Sequence, residues 1–232
     1  MGSFDSQWLK EMLMLLPPLF FSLTLHEYAH ARVALAFGDP TARNMGRVSL
    51  NPLRHLDPVG TLMILFSRVI GWAKPVPVNP LNLHPRRLGD IAVSIAGPLT
   101  NLALAVVCGL TLRWAGPTMV DRAFDNPGGA WELATIMLRQ TTTANLAMCF
   151  FNLLPLFPLD GHHIVRELLP TETQRGFMQW QIRFGAPLLL VLLIGPRLLT
   201  ILTHGSTLIN PLGTYLRYVI SPVRSLLTGG LF

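Results

Sequence analysis

The stretch MLMLLPPLFFSLTLHEYAH, residues 12–30, places a cluster of ionisable side chains directly after a long apolar run. An apolar run of about 20 residues is long enough to cross a hydrocarbon core about 30 Å thick. Histidine and glutamate inside such a span are expensive to bury unless they pair or bind a ligand. The stretch therefore predicts a membrane-spanning helix, over about residues 9–37, that carries a buried functional site.

The spacing within HEYAH is typical of a zinc site. His26 and His30 are four residues apart, so they lie on one face of a helix and can bind one metal ion. Glu27 lies beside them and can act as a general base toward water at that metal. The alternative is a chance helix with two buried histidines, and the apolar surroundings of three ionisable groups weigh against it.

Two histidines leave a hydrolytic zinc site one ligand short, because such sites use three protein ligands and keep a fourth position for water. The best candidate is Asp160, within NLLPLFPLDG at residues 152–161. Pro155 and Pro158 break the helix there, and broken backbone at membrane depth is tolerated where it is buried in protein or lines a wet cavity. Asp160 is therefore predicted to point inward, the alternative being a solvated turn. The other candidates are the remaining carboxylates and His55, His84, His162, His163 and His204.

The composition places the whole chain in the membrane class. Half of the 232 residues are hydrophobic and 13% are charged, against about 25% in soluble domains. Further apolar runs occupy residues 91–112, 143–157 and 186–202, each near the length of a span. We expect no cleavable signal peptide at the first run. The sequence predicts an all-α multi-pass membrane protein of about four to six transmembrane helices, forming a single domain over residues 1–232.

Two segments between the first and second spans do not fit that pattern. Residues 60–72 are apolar but too short to cross, and basic residues flank them, so a re-entrant segment is predicted. Residues 74–83, KPVPVNPLNL, alternate Val with Pro. This alternation excludes a helix and predicts an extended edge strand, a small membrane-associated β element.

The basic residues predict the orientation of the spans. Residues 38–90 carry seven Lys and Arg side chains, whereas residues 115–139 carry two, offset by three acidic residues. Cytoplasmic loops are enriched in Lys and Arg, so the first loop is predicted to be cytoplasmic and the second external. The net charge of +6 has the same source, and we expect no nucleic-acid partner. Cys108 and Cys149 lie in apolar runs and are interpreted as packing residues.

The pairing of HEYAH with NLLPLFPLDG far downstream resembles the site-2 protease family of intramembrane zinc metalloproteases. It is most similar to the compact bacterial branch that lacks PDZ and CBS domains. The resemblance covers residues 20–165 and includes intermediate motifs in the same order: GRVSLNP at 46–52, HLDP at 55–58, GWAKPVPVNP at 71–80 and AGPLTN at 96–101. It implies a catalytic core over about residues 9–165, followed by C-terminal helices in residues 166–232.

The resemblance also implies the roles of individual residues. It implies one zinc ion per chain, with Glu27 as catalytic base and three ligands, His26, His30 and Asp160. Asn152 is expected near the active site, where it helps to hold the substrate or the oxyanion; the alternative is an interhelical hydrogen bond. His162 stands where many members have a small residue, and it can shape metal access or the pH response.

Some roles stay open on the sequence alone. His55 and Asp57 either orient a ligand or make turn hydrogen bonds in their loop. Gly97 and Asn101 are expected mainly to pack one core helix closely against the zinc helix. The segment at residues 74–83 either receives an unwound substrate by β-augmentation or covers the site.

The function implied by the resemblance is hydrolysis of peptide bonds inside the bilayer, with single-span membrane proteins as substrates. The expected location is the cell membrane, with the active site toward the cytoplasmic face, because His26 lies seventeen residues, or about 25 Å, along the helix from Leu9. A zinc transporter would need several intramembrane carboxylates and His-rich loops. A non-catalytic scaffold that binds transmembrane segments would not need Glu27.

Overall fold

The computed structural model describes the backbone of residues 6–67, 71–203 and 210–230, and the side chains within those ranges from residue 14 on, residues 65–67 excepted. Its helices are α1 (Ser6–Ala36), α2 (Thr41–Asn44), α3 (Pro58–Ser67), α4 (Arg86–Asp125), α5 (Ala130–Asn152), α6 (Asp160–Leu168), α7 (Thr171–Trp180), α8 (Ala186–Leu202) and α9 (Pro211–Thr228). A π-helical turn, Gln181–Gly185, joins α7 to α8. For these residues the prediction of an all-α fold is confirmed.

Helix α4 occupies the centre of the fold and packs against α1, α5, α6 and α9. One cluster of buried apolar side chains joins α4 to α5 and α9 through Ala105, Leu146 and Ile220. A second cluster joins α4 to α1 and to the segment before α4 through Ala34, Leu83 and Val93. Because α4 contacts both α1 and α6, it fixes the positions of the two helices that carry the predicted metal ligands.

Two helical stretches in the described part are long and apolar enough to cross a membrane, Arg86–Asp125 and Thr171–Leu202. The second stretch combines α7, the π-helical turn and α8. Large apolar side chains of α8 are exposed, among them Leu190, Val191 and Ile201. A continuous apolar surface of this kind marks contact with a membrane or with another protein.

The prediction of a loop over residues 115–139 is wrong, because the loop is much shorter. Helix α4 continues to Asp125 and α5 begins at Ala130, so the loop between them is residues 126–129. Hydropathy shows where a helix leaves an apolar environment, whereas the helix itself ends where the sequence has breaking residues. Here those residues are Asn126, Pro127, Gly128 and Gly129.

The segment predicted to be re-entrant contains α3, and part of it, residues 68–70, lies outside the described residues. A Cβ atom added to Gly60 would collide with the carbonyl oxygen of Trp72, and one added to Gly71 would collide with the side chain of Ile64. The two arms can therefore approach this closely because both positions are glycine. The chain doubles back on itself here, and the entry of this hairpin into a membrane stays a prediction.

The edge strand predicted at residues 74–83 is wrong. The described residues contain one β pairing, an isolated antiparallel bridge between Leu56 and Ala73, and the chain then runs extended to a 3-10 turn at Pro80–Asn82. Pro75 and Pro77 have no N–H group, so this part of the chain cannot donate the alternate hydrogen bonds of a β ladder.

Asp39, directly after α1, anchors this extended segment. Its carboxylate accepts hydrogen bonds from the backbone N–H of Asn79 (2.7 Å), the side-chain amide of Asn82 (2.9 Å), and the N–H and hydroxyl of Thr41. Burial raises the pKa of Asp39, but these four hydrogen bonds outweigh the effect and hold the pKa below its usual value. The anchor is therefore strongest when Asp39 is ionised.

We expect Asp39→Ala to release residues 79–82 from the end of α1, because the N–H of Asn79 loses its charged acceptor. Amide hydrogen exchange at Asn79 should become at least about tenfold faster, as the loss of about 1.5–3 kcal/mol implies. In the wild type the protection of the Asn79 amide, taken as the intrinsic exchange rate at each pH divided by the observed rate, should fall as the pH drops below about 4, because the stabilising ionised form is then lost. Ala at the exposed Asp121 is the control, and equal exchange in both variants would contradict the anchor.

Candidate metal centre

His26, Glu27 and His30 lie on successive turns of α1 and are all buried. The Nε2 atoms of His26 and His30 are 3.1 Å apart. The carboxylate of Asp160, the first residue of α6, lies 3.4 Å from Nε2 of His26 and 3.5 Å from Nε2 of His30. The structure thus brings together the three predicted ligands from two helices that are far apart in sequence.

The hydrogen-bond partners of the ligand side chains show that this group suits a cation. Nδ1 of His30 lies 2.7 Å from the carbonyl oxygen of Val93, which can only accept, so Nδ1 is the donor there and Nε2 is the ring nitrogen that faces Asp160. Nδ1 of His26 lies 2.6 Å from Oδ1 of Asn101, and Oδ2 of Asp160 is buried without a hydrogen-bond partner. A cation held between these atoms would give each of them a partner.

The separations also fit zinc in particular. Zinc binds nitrogen and carboxylate oxygen at about 2.0–2.2 Å in tetrahedral geometry, which places neighbouring ligand atoms about 3.3–3.6 Å apart. The two separations that involve Asp160, 3.4 and 3.5 Å, fall within that range, and the separation between the two histidines, 3.1 Å, is slightly shorter. Two histidines and one carboxylate also form a typical ligand set of hydrolytic zinc sites, with the fourth position left for water.

Gly97 of α4 makes room for the two imidazole rings. A Cβ atom at this position would lie 2.5 Å from Cε1 and 2.7 Å from Nε2 of His26, and it would also collide with Nε2 of His30. Such contacts are shorter than van der Waals separation, so the rings would have to move. The expectation that Gly97 allows close helix contact therefore holds, and the contact is made with the ligands themselves.

The position of Asp160 depends on the non-helical segment between α5 and α6. Gly161 packs against this segment, where a Cβ atom would collide with the carbonyl oxygens of Leu153 and Leu154. Gln181, 1% exposed, holds the same segment from the other side. Its side chain accepts from the N–H of Phe157 (2.8 Å) and donates to the carbonyl oxygen of Pro155 (2.7 Å).

A buried ion pair fastens α6 to α4 nearly two turns beyond the ligand Asp160. The guanidinium of Arg166 contacts the buried carboxylate of Asp90, and its Nε donates to Glu167 at 2.8 Å. Nδ1 of His163 lies 3.8 Å from Asp90. Burial lowers the pKa of His163 to about 4, and the nearby His162 and Arg166 act in the same direction.

Glu27 is held by the extended segment that follows α3. Its Oε2 accepts a hydrogen bond from the N–H of Val76 at 3.1 Å. Buried Arg47 fastens the same segment by donating to the carbonyl oxygens of Lys74 and Pro75. The backbone N–H of Lys74 donates to the backbone carbonyl oxygen of His55. Because these backbone groups are already hydrogen-bonded, they are not available to pair with a substrate strand. The geometry therefore favours the interpretation that the segment covers the site.

The remaining predicted residues lie outside the ligand group. Asn152 is the last residue of α5, and its amide donates to the carbonyl oxygen of Met148 at 3.0 Å. His55 pairs with the carbonyl oxygen of Ser49 at 2.7 Å, and Asp57 accepts from Gly60 at the start of α3. Both are therefore loop residues with turn hydrogen bonds. His162 is buried with Nδ1 2.5 Å from the carbonyl oxygen of Leu159, and His204 lies outside the described residues.

Sequence reasoning missed several residues that position this site. The sequence predicts a packing role for Asn101, whereas the structure places it in direct contact with His26. Arg47 was counted only as an orienting charge, although a motif of the resemblance contains it. Gln181 and Asp90 carried no signal beyond being polar residues beside apolar runs. Burying a polar side chain beside an apolar run costs free energy unless it has a hydrogen-bonding partner. That cost is the sequence signal that points to a role for these residues.

We expect Gly97→Ala to remove zinc from the purified chain, because the added methyl group displaces both imidazole rings. The wild type should retain about one zinc ion per chain by elemental analysis, and Gly97→Ala less than about one tenth of that. Gly176→Ala is the control, since a Cβ atom there meets nothing within 4 Å. Full zinc content in a folded Gly97→Ala chain would contradict the geometry.

Comparisons with known proteins agree with this centre. The chain is 42% identical over 180 residues to "Putative zinc metalloprotease YwhC" of Bacillus subtilis, covering 77% of this chain and 78% of that protein. It is 37% identical to "Putative zinc metalloprotease Rip2" of Mycolicibacterium smegmatis, covering 76% and 65%. It is 28% identical to "Zinc metalloprotease MJ0392" of Methanocaldococcus jannaschii, covering 65% and 33%. No family model and no solved structure matches.

The relationship to YwhC extends over most of both chains, at an identity that short motifs alone do not produce. It agrees with the buried ligand group on α1 and α6 and with the motif pairing found in the sequence. The chain therefore belongs to the family of zinc metalloproteases that includes YwhC and Rip2, as its resemblance to the site-2 proteases implies.

Proposed function

We propose that this chain is a zinc-dependent endopeptidase that hydrolyses peptide bonds in transmembrane segments of single-span membrane proteins. The observation that carries the proposal is that buried Glu27 adjoins His26 in α1, beside a group of two buried histidines and one partly exposed carboxylate. A purely structural zinc site needs no carboxylate next to its ligands. The family relationship supports the zinc metalloprotease part of the proposal, and the apolar helices support the membrane part.

In the proposed mechanism, zinc when bound supplies a Lewis acid that activates water and polarises the substrate carbonyl. The three ligand side chains hold it in place through Nε2 of His26, Nε2 of His30 and the carboxylate of Asp160. Glu27 takes the proton of the attacking water and then donates it to the leaving amine. No covalent bond between enzyme and substrate forms, so no nucleophilic serine or cysteine is required.

Asn152 contributes one free amide hydrogen in this proposal. Its Nδ2 carries two hydrogens, of which one donates to the carbonyl oxygen of Met148. The second can donate to a substrate carbonyl at the end of α5, where the chain leaves the helix. The extended segment over Glu27 has to move before a substrate can reach that position, because the N–H of Val76 is hydrogen-bonded to the Glu27 carboxylate.

The membrane setting of the proposal rests on helix lengths and charges. His26 lies 20 residues after Ser6, the first described residue of α1, which corresponds to about 30 Å of helix. Lys and Arg are concentrated in the segment that follows α1, and such segments face the cytoplasm. We therefore infer a multi-pass protein of the cell membrane with its zinc nearer the cytoplasmic face.

The decisive test of the activity is Glu27→Gln, which removes the proton acceptor and keeps the ligands. We expect the variant to retain about one zinc ion per chain and to lose activity by at least about 100-fold. Single-span membrane proteins should then accumulate in the membrane proteome of cells that carry the variant. Glu172→Gln, at an exposed position of α7, is the matched control. Zinc retention with an unchanged proteome would instead support a non-catalytic scaffold.

We expect the loop between α4 and α5 to face outward. Asn126→Cys is the suitable probe, because Asn126 is exposed and has an ordinary backbone conformation, whereas Gly128 has a φ of 79°. With Cys108 and Cys149 replaced, a membrane-impermeant reagent should label Asn126→Cys in intact cells and leave Asn44→Cys unlabelled. The reverse pattern would overturn the orientation.

A further inference from the structure

A chain of hydrogen bonds leads from His26 through two buried asparagines to a backbone carbonyl. Nδ1 of His26 lies 2.6 Å from Oδ1 of Asn101, whose Nδ2 donates to Oδ1 of Asn145 at 2.7 Å. Nδ2 of Asn145 donates to the carbonyl oxygen of Thr141 at 2.8 Å and to the hydroxyl of Ser22 at 2.7 Å. Asn101, Asn145 and Ser22 are each 0% exposed, so water cannot replace any of these partners.

The last hydrogen bond in this series, at Thr141, fixes the orientation of both asparagine amides. The carbonyl oxygen of Thr141 can only accept, so Asn145 must turn its amino group toward it. Oδ1 of Asn145 then faces Asn101 and requires the amino group of that residue. Asn101 is left with its oxygen toward His26, and an oxygen requires a proton on Nδ1. Each amide orientation therefore follows from the one before it.

We propose that Asn145 is a positioning residue for the metal centre: through Asn101 it sets the tautomer of His26 in which Nε2 is free to bind metal. The opposite tautomer would place a proton on Nε2, where it would point toward Nε2 of His30, 3.1 Å away, and block coordination. His30 needs no such chain, since the carbonyl oxygen of Val93 contacts its Nδ1 directly. The proposal rests on the zinc site of the proposed function but not on cleavage.

Ser22 has less influence than Asn145 on the orientation of the amide groups that contact His26. Its hydroxyl donates to the carbonyl oxygen of Pro18 at 2.7 Å and offers its lone pairs to Asn145. A hydroxyl can act as donor or acceptor, so it does not by itself decide which way the amide of Asn145 faces. Without Ser22, Thr141 still accepts from the same amino group. The proposal therefore predicts different outcomes for substitutions at the two positions.

The first measurement is zinc affinity of the full chain in detergent, by competition with a chelator of known affinity. Asn145→Leu removes the amide, and we expect about a 10- to 100-fold weaker affinity. Ser22→Ala should stay close to the wild type. Thr142→Val is the matched control, because Thr142 is the buried neighbour of the same helix turn and its hydroxyl donates only to Leu138 within α5.

The second measurement separates this role from a loss of folding. In metal-free chain labelled with ¹⁵N-histidine, the ring nitrogen shifts of His26, assigned by comparison with His26→Gln, should show a proton on Nδ1 in the wild type. In Asn145→Leu they should show a mixture of tautomers. Adding Asn101→Asp should recover most of the lost zinc affinity, because both oxygens of a carboxylate accept and no outside group has to orient them.

Zinc affinity within about threefold of the wild type in Asn145→Leu would overturn the proposal. So would a loss of zinc with an unchanged tautomer, or a loss that Asn101→Asp does not rescue, because each outcome would show a role in packing alone. Neither measurement uses a substrate. A failure of the proposed cleavage would therefore appear in the Glu27→Gln comparison and leave these results readable.

Discussion

Two imidazole nitrogens and one carboxylate converge on a single point between α1 and α6, and holding them there is the constraint on which the rest of the structure depends. The two helices that supply these ligands are far apart in sequence, so other contacts have to fix their relative position. The fold meets this constraint by fastening each ligand from behind. His30 is fastened to the backbone of α4, His26 to a side chain of α4, and Asp160 to α4 indirectly through the ion pair between Asp90 and Arg166.

Helix α4 is therefore more than a packing partner of the zinc helix. It contributes the acceptors for both imidazole rings, the glycine that makes room for them, and the carboxylate that holds α6. These contacts follow one another along the first turns of a single helix. The positions of α1 and α6 along the axis of α4 are therefore fixed relative to each other. Preorganisation of this kind lowers the cost of assembling the ligands when the metal binds.

The sequence predicted the centre of the site well and its surroundings poorly. HEYAH and NLLPLFPLDG could be found because their spacing is local and because ionisable groups or prolines inside apolar runs need a reason. The helical class followed from the same runs, whereas the edge strand was mispredicted because an extended Val-Pro alternation lacks the donors of a ladder. The length of α4 was underestimated because hydropathy was used in place of helix breakers.

The supporting residues could not be predicted because their partners lie far away in the sequence. Asn101 contacts residues 75 and 44 positions away, and Arg166 contacts a carboxylate 76 positions away. Nothing within a window of one or two helix turns distinguishes these side chains from ordinary polar positions. Only the three-dimensional arrangement shows that their buried polar atoms need one another.

The two hydrogen bonds of Gln181 have a consequence for where this protein can be shortened. The residues proposed to bind zinc, to act as general base and to contact the substrate all precede residue 166, so a fragment ending there would contain the whole proposed site. Such a fragment would nevertheless lack the side chain that ties Pro155 and Phe157 together. We expect the smallest active piece to extend through the π-helical turn, which makes residues 167–185 a folded part of that piece and not an accessory to it.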